Sequence, residues 1–116
     1  IFTGALVHLL TVHRKSITRF TNVVSENSKV CVGTDSLASN HQLSILEELK
    51  LIEQFYPEIS LETLLEVATI NGAKALNLNK TFGSFEKGKA PGVVLISNSD
   101  LKNLKLTSES TETRIV

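Results

Sequence analysis

The chain has 116 residues, 41% hydrophobic and 21% charged, with 12 Lys and Arg balancing 12 Asp and Glu. That length bounds one small domain, and a neutral balance gives no field of one sign to gather nucleic acid or an anionic membrane surface. One Tyr, five Phe and no Trp leave little with which to stack bases, and no apolar run approaches the roughly 20 residues that cross a bilayer.

The single Cys31 excludes an internal disulfide and fits a reducing cytoplasm better than secretion. Residues 1–12 are apolar but carry neither a basic leading region nor a small-residue cleavage site. The chain opens on Ile1 and contains no Met, so we expect a fragment of a longer polypeptide.

In chain order, residues 1–24 mix apolar residues with His8, His13, Arg14, Lys15 and Arg19, without a period of 2 or 3.6, and offer at most a weak helix. Residues 29–34, KVCVGT, form a short β-branched run closed by Gly33, which predicts a buried strand ending in a tight turn. Over 42–56, apolar residues at Leu43, Ile45, Leu46, Leu49, Ile52, Phe55 and Tyr56 follow the spacing of an amphipathic helix. Its wet side is expected to carry Glu47, Glu48, Lys50 and Glu53, and Pro57 ends it.

Ser60 is placed to cap a second helix over 61–70, with Glu62 in its first turn and Leu61, Leu64, Leu65 and Ala68 as its buried stripe. Asn71 is expected to cap a third helix over 72–78, in which Ala73, Ala75 and Leu76 allow close packing. From Phe82 onward Gly83, Gly88 and Gly92 punctuate short segments, and residues 92–96, GVVLI, predict a strand. Leu101, Leu104 and Leu106 alternate weakly, the Ser/Thr/Glu stretch 107–113 reads as a loop, and Thr113 opens another strand running to Val116.

The strongest candidate for chemistry is Gly33-Thr34-Asp35-Ser36. A carboxylate just after a buried strand stands at the mouth of an α/β sheet or barrel, where ligands and catalytic groups gather. There it can ligate a metal and accept a proton from metal-bound water. The four letters alone leave equally open that Asp35 only caps the following turn. Ser39 and Asn40 are turn and N-cap formers for the next helix, which does not exclude a hydrogen bond to substrate.

His41 has no partner histidine at helical or strand spacing and reads as a surface or capping residue. His8 and His13 are five apart, which on a helix turns them to different faces, so they make a weak metal pair. Cys31 alternates with Val30 and Val32 and reads as a small buried hydrophobe. Phosphate loops, paired zinc cysteines and a nucleophile elbow are absent from the sequence.

Three segments, VCVGTDSLASN at 30–40, LLEVATINGAKALNL at 64–78 and FGSFEKGKAPGVVLI at 82–96, taken in that order, resemble the end of the metal-dependent amidohydrolase superfamily. The branch they resemble is the cytosine deaminase-like and chlorohydrolase-like one. The resemblance implies an α/β fold: residues 25–81 would be the end of a (β/α)₈ TIM barrel, with its last strand and following helices, and 82–116 part of a small β-sandwich. Asp35 would be the metal-site and catalytic carboxylate, with Ser36, Ser39 and Asn40 supporting it or facing substrate.

The complete enzyme would hold divalent Zn or Fe and hydrolyse a carbon–nitrogen bond through metal-activated water, as a deaminase of a nucleobase, nucleoside-like or other amidine substrate. Its partner would be a small molecule, with no nucleic acid or membrane, and the resemblance leaves a homo-oligomeric parent open. The expected His-x-His pair and the later histidines would lie upstream of residue 1. We therefore expect this fragment to bind no metal and to be inactive.

Two departures stand out. The family commonly places an acid after the Ala of its GK-x-A-D turn, where this chain has Ala90-Pro91-Gly92. The usual C-P-x-S/A-N segment before the last strand is also missing. Back-translation of Leu6–Thr11 from the third codon base allows C-P-S-A-N, so residues 1–24 can be read as an out-of-frame segment with the frame restored near Ser25. A genuine coding sequence is the alternative. Rival readings for the whole chain are a metal-free hydantoinase-like scaffold protein and a small α/β binding module.

Overall fold

The computed structural model describes residues 8–10, 30–34 and 43–116, and at 8–10 only the course of the backbone. Its elements run β1 (His8–Leu10), β2 (Val30–Val32), α1 (Ile45–Phe55), α2 (Leu61–Ala68), α3 (Ile70–Ala75), β3 (Val94–Ser97) and β4 (Thr111–Arg114). The expected α/β class is observed. Among the described residues it takes the form of two two-stranded sheets, β1–β2 and β3–β4, and neither a closed barrel nor a sandwich is present.

β1 and β2 are parallel, with His8 opposite Val30, Leu9 opposite Cys31 and Leu10 opposite Val32. The weak helix expected in residues 1–24 is therefore corrected at His8–Leu10, where the backbone is extended. Adjacent Val30 and Cys31 point to opposite faces of β2 and both are buried, as a parallel strand covered on both sides requires.

α1 starts at Ser44, whose extended backbone lets its Oγ accept from the Glu47 N–H at 3.3 Å. Ser39 and Asn40, the cap formers expected from sequence, are not the cap. At the other end the Tyr56 N–H closes on Ile52 O at 2.8 Å and Pro57 forbids another turn. α2 begins as expected at Ser60, whose Oγ accepts from the Thr63 N–H at 3.2 Å.

The third helix departs from expectation. Thr69 breaks the backbone at φ −128°, ψ −88°, its hydroxyl donates to Leu65 O, and α3 starts at once at Ile70. Asn71 thus lies inside the helix and is no cap. α3 stops at Leu76 because Asn77 turns to φ 58°. The Leu78 N–H then reaches Ala73 O at 2.8 Å and the Asn77 N–H reaches Lys74 O at 3.1 Å, the paired bonds of a Schellman end. Leu76, expected to pack, is exposed.

The core joins Val30 of β2, Leu46, Leu49 and Ile52 of α1, Tyr56, Ile59, Leu64 and Val67 of α2, and Leu106. Two side chains reverse their expected environments on α2: Leu65 is 38% exposed, and Val67 takes its place inside. Two more reverse on α1, where Glu48 and Glu53 are 2% and 9% exposed although the helical pattern puts them on the wet side. For Glu53 the reason is plain: the 105–108 segment crosses that side of the helix, and Glu53 Oε2 accepts the Leu106 N–H at 3.2 Å. Lys50 donates to Ser108 O and Lys105 to Pro57 O across the same seam.

β3 and β4 pair antiparallel, with Val94 opposite Arg114 and Ser97 opposite Thr111. β4 begins two residues before the expected Thr113, so the Ser/Thr/Glu stretch is loop only to Ser110. Ser110 is fully buried, accepting from the Thr107 N–H at 2.9 Å and donating to Asn98 O at 3.2 Å, and so ties the two ends of the intervening turns together.

Candidate functional site

The carboxyl ends of β1 and β2 lie side by side, at Leu10 and Val32, because the strands are parallel and in register. Half-buried Gly33 and Thr34 continue from β2. This is the edge of a parallel sheet from which catalytic and ligand-binding groups project, since the strand is fixed and the loop beyond it is free to specialise. Asp35 comes next in the chain, and Asp35, Ser36, Ser39, Asn40, His41 and His13 all lie outside the described residues. His8 falls within β1, where the backbone alone is described.

What the structure does show is how the strand leading to Asp35 is held. The Asn71 side-chain amide donates from Nδ2 to Val30 O at 2.8 Å, joining α3 to β2 across 41 positions of sequence. One residue on, Gly72 faces the same strand, where an added Cβ would stand 4.0 Å from Cys31 Cβ. Behind α3, Gly83 approaches so closely at φ +92° that a Cβ there would lie 2.7 Å from Ala73 Cβ and 2.9 Å from Ile70 Cα. Only glycine meets both conditions. The N-G-A-K segment therefore acts as a bracket, with β2 on one side and the Gly83 turn on the other. Its glycine and asparagine were visible in the sequence, but the partner of Asn71 is 41 positions away and no local pattern announces it.

Cys31 is buried, and burial pushes its thiol pKa up, which makes it inert as a nucleophile. The reading of Cys31 as a small buried hydrophobe stands. Among the described residues no group of three or more His, Cys, Asp or Glu side chains could hold a metal ion, so those residues do not by themselves fit a divalent cation. A surface groove between α1 and the 105–108 segment carries Lys50 and Lys105, but both ammonium groups are spent on protein oxygens, Lys50 on Glu47 and Ser108 and Lys105 on Pro57. Among the described residues no helix is long and apolar enough to cross a membrane.

Comparison with known proteins places this arrangement. A model of the amidohydrolase family matches residues 10–114, starting inside the 1–24 segment and running through every helix and both later strands. The chain is 40% identical over 90 residues to a 5-methylthioadenosine/S-adenosylhomocysteine deaminase of Caldicellulosiruptor saccharolyticus, covering 72% of this chain and 21% of that protein. It is 38% identical over 79 residues to the protein of the same name from Saccharophagus degradans, covering 62% of this chain and 18% of the relative. It is 33% identical over 82 residues to a 5'-deoxyadenosine deaminase of Methanococcus maripaludis, covering 65% of this chain and 19% of that protein. The chain thus spans about a fifth of the length of these curated relatives. With the family model aligned across all three segments singled out in the sequence, the chain belongs to the amidohydrolase family.

Proposed function

We propose that the chain is the C-terminal portion of a hydrolytic deaminase that acts on an adenosine-like nucleoside, adding water at an amidine carbon of the ring and releasing ammonia. The observation that carries this reading is the family match across 10–114 together with relatives named for deaminating adenosine derivatives. In this reading β2 is the last strand of a (β/α)₈ barrel, α1–α3 are the helices that follow it, and β3–β4 belong to a small β-sandwich.

Asp35, next in the chain after Thr34, is the carboxylate that would help hold the metal and would accept a proton from water. Ser36, Ser39 and Asn40 support it or face substrate. The family generally uses a divalent metal, and Zn or Fe in the complete enzyme would lower the pKa of water so that it attacks at neutral pH. One carboxylate falls short of the three protein ligands of a catalytic zinc site, and the described residues add no ligand set. No catalytic step is therefore assigned to this chain alone, and we propose that it is inactive without upstream histidines. The proposed setting is the cytoplasm, with a small-molecule substrate and no nucleic-acid or membrane partner.

The test is expression of the reading frame extended upstream of Ile1, assayed for ammonia release from 5'-deoxyadenosine and 5-methylthioadenosine with Zn or Fe(II) supplied. Activity that Asp35→Asn abolishes is expected. An extended frame with intact histidines but no such activity would sink the deaminase reading, and ammonia release by the 116-residue chain alone would overturn its inactivity. The nucleotide trace through the codons for 1–24 separates a shifted frame from a genuine one.

A further inference from the structure

Asn71 is the only asparagine in the chain that is followed by glycine. An asparagine loses its side-chain amide when the next backbone nitrogen attacks Cγ, and glycine hinders that attack least because it carries no Cβ. Packing does not demand glycine at 72: the residue lies inside α3, and an added Cβ would meet Cys31 Cβ at 4.0 Å, an ordinary contact. Two features of the fold oppose the reaction. Asn71 Nδ2 is held on Val30 O at 2.8 Å, which fixes the side chain against β2. Ring closure also needs Cβ and the Gly72 nitrogen nearly eclipsed about the Asn71 Cα–C bond, and a helical ψ of about −40° keeps them apart. Both features are lost together when α3 leaves β2, and a helix of 6 residues has little stability of its own.

We propose that Asn71–Gly72 is a latent deamidation site, closed by the contact of α3 with β2 and opened whenever that contact is lost. In the open chain the Gly72 nitrogen gives its proton to hydroxide and bonds to Asn71 Cγ, while the Cγ–Nδ2 bond breaks and Nδ2 leaves as ammonia with a proton from water. Water then opens the succinimide at one of its two carbonyls, to aspartate or isoaspartate, so one water is consumed and one ammonia released without oxidation. Neither product can restore the tether. Aspartate sets an ionised carboxylate, which only accepts hydrogen bonds, against the Val30 carbonyl, which also only accepts. Isoaspartate adds a methylene to the main chain and throws the helical ladder out of step. Each opening that reacts is thereby recorded in the covalent structure, and the bracket behind β2 fails in one direction only. This site stands apart from the catalytic reading and needs no metal or substrate.

The test incubates the 116-residue chain in mildly alkaline buffer with and without urea, and follows by mass spectrometry the tryptic peptide 51–74, in which Asn71 is the only asparagine. The folded chain is expected to convert about tenfold more slowly than the chain in urea, or slower still, since only its open fraction reacts. Gly72→Ala, which the fold accommodates, is expected to lose the fast reaction in urea. Gly83→Ala disturbs Ile70 and Ala73 on either side of the pair, and is expected to raise the folded rate while leaving the urea rate unchanged. Deamidated chain, separated by its added negative charge, is expected to exchange the amide hydrogens of β2 faster than intact chain. Equal rates with and without urea, a urea rate that Gly72→Ala leaves as fast, a folded rate indifferent to Gly83→Ala, or β2 exchange unchanged by deamidation would each overturn the proposal.

Discussion

Residues 45–75 and residues 94–114 both alternate apolar and polar side chains, yet they end in opposite environments. In the helical stretch Ile52 and Leu64 are wholly enclosed, whereas in the sheet Val94 is 57% and Leu95 51% exposed. The difference is geometric. A helix in a cluster has neighbours along a broad stripe, so α1 and α2 close over β2 and one another. A two-stranded sheet has two faces and one ladder, and it is at best marginal without further cover. β3–β4 is anchored through Leu106 and half-buried Ile96 in the core and through the Glu53, Lys50 and Lys105 hydrogen bonds, while most of its surface stays open. One region carries the stability of the unit, and the other is held to it by a seam.

The sharpest way to break this comparison is to hollow each region in turn. Leu64→Ala removes a fully buried side chain and is expected to cost about 2–5 kcal/mol, while Leu95→Ala stays within about 0.5 kcal/mol. Urea unfolding of both variants checks it, and equal costs would mean that the sheet is as well packed as the helices.

Next in size is the bracket behind α3. Gly83→Ala combines positive φ with contact on Ile70 and Ala73 and is expected to cost about 2–3 kcal/mol. Gly88→Ala, at φ +89° with open space around it, should cost about 1 kcal/mol from backbone strain alone. Thermal unfolding of the pair separates steric contact from conformational strain.

Asn71→Ala deletes the bond to Val30 O and should cost about 1 kcal/mol. Amide hydrogen exchange is expected to rise in β2 and stay unchanged in β4, because the bond touches one region only.

The smallest effect is on pH dependence and belongs to the surface. The Asn103 side chain hydrogen-bonds Asp100 and holds its carboxyl below the usual range, and Lys89, with Ser84, does the same for Glu86. Carboxyls depressed in the folded state contribute stability above their unfolded pKa, about 4, and lose it as pH falls through the lower folded value. Urea midpoints should therefore stay level from neutral pH to about 5 and decline below about 4, with a shallower decline in Asp100→Asn. Both groups are solvent-exposed, so the slope is small.

Much of the helical region was legible in the sequence because its determinants are local. The 29–34 strand, the Ser60 cap, the Pro57 stop and the spacing through Ile52 each depend on residues within one or two turns. Several of the misreadings come from contacts arriving from far along the chain, while the starts of α1 and α3 were shifted locally by Ser44 and Thr69. Glu53 is buried by the 105–108 segment, Asn71 serves the distant Val30 carbonyl, and Leu65 exchanges places with Val67 because β2 and α1 approach that side of α2. At the candidate site the sequence named Asp35 and its neighbours from motif alone. The described structure adds the strand, its parallel partner and the bracket that hold the chain up to Thr34.

The sequence by itself determined the family, the strand that leads to Asp35 and the amphipathic helices behind it, since motif order and 3.6-residue periodicity are written in neighbouring residues. Tertiary structure alone decided which charges are buried, which asparagine becomes a tether and which apolar residues of the helices and of β3 stay exposed. Those outcomes depend on what packs against each side chain, and the packing partners lie tens of residues away.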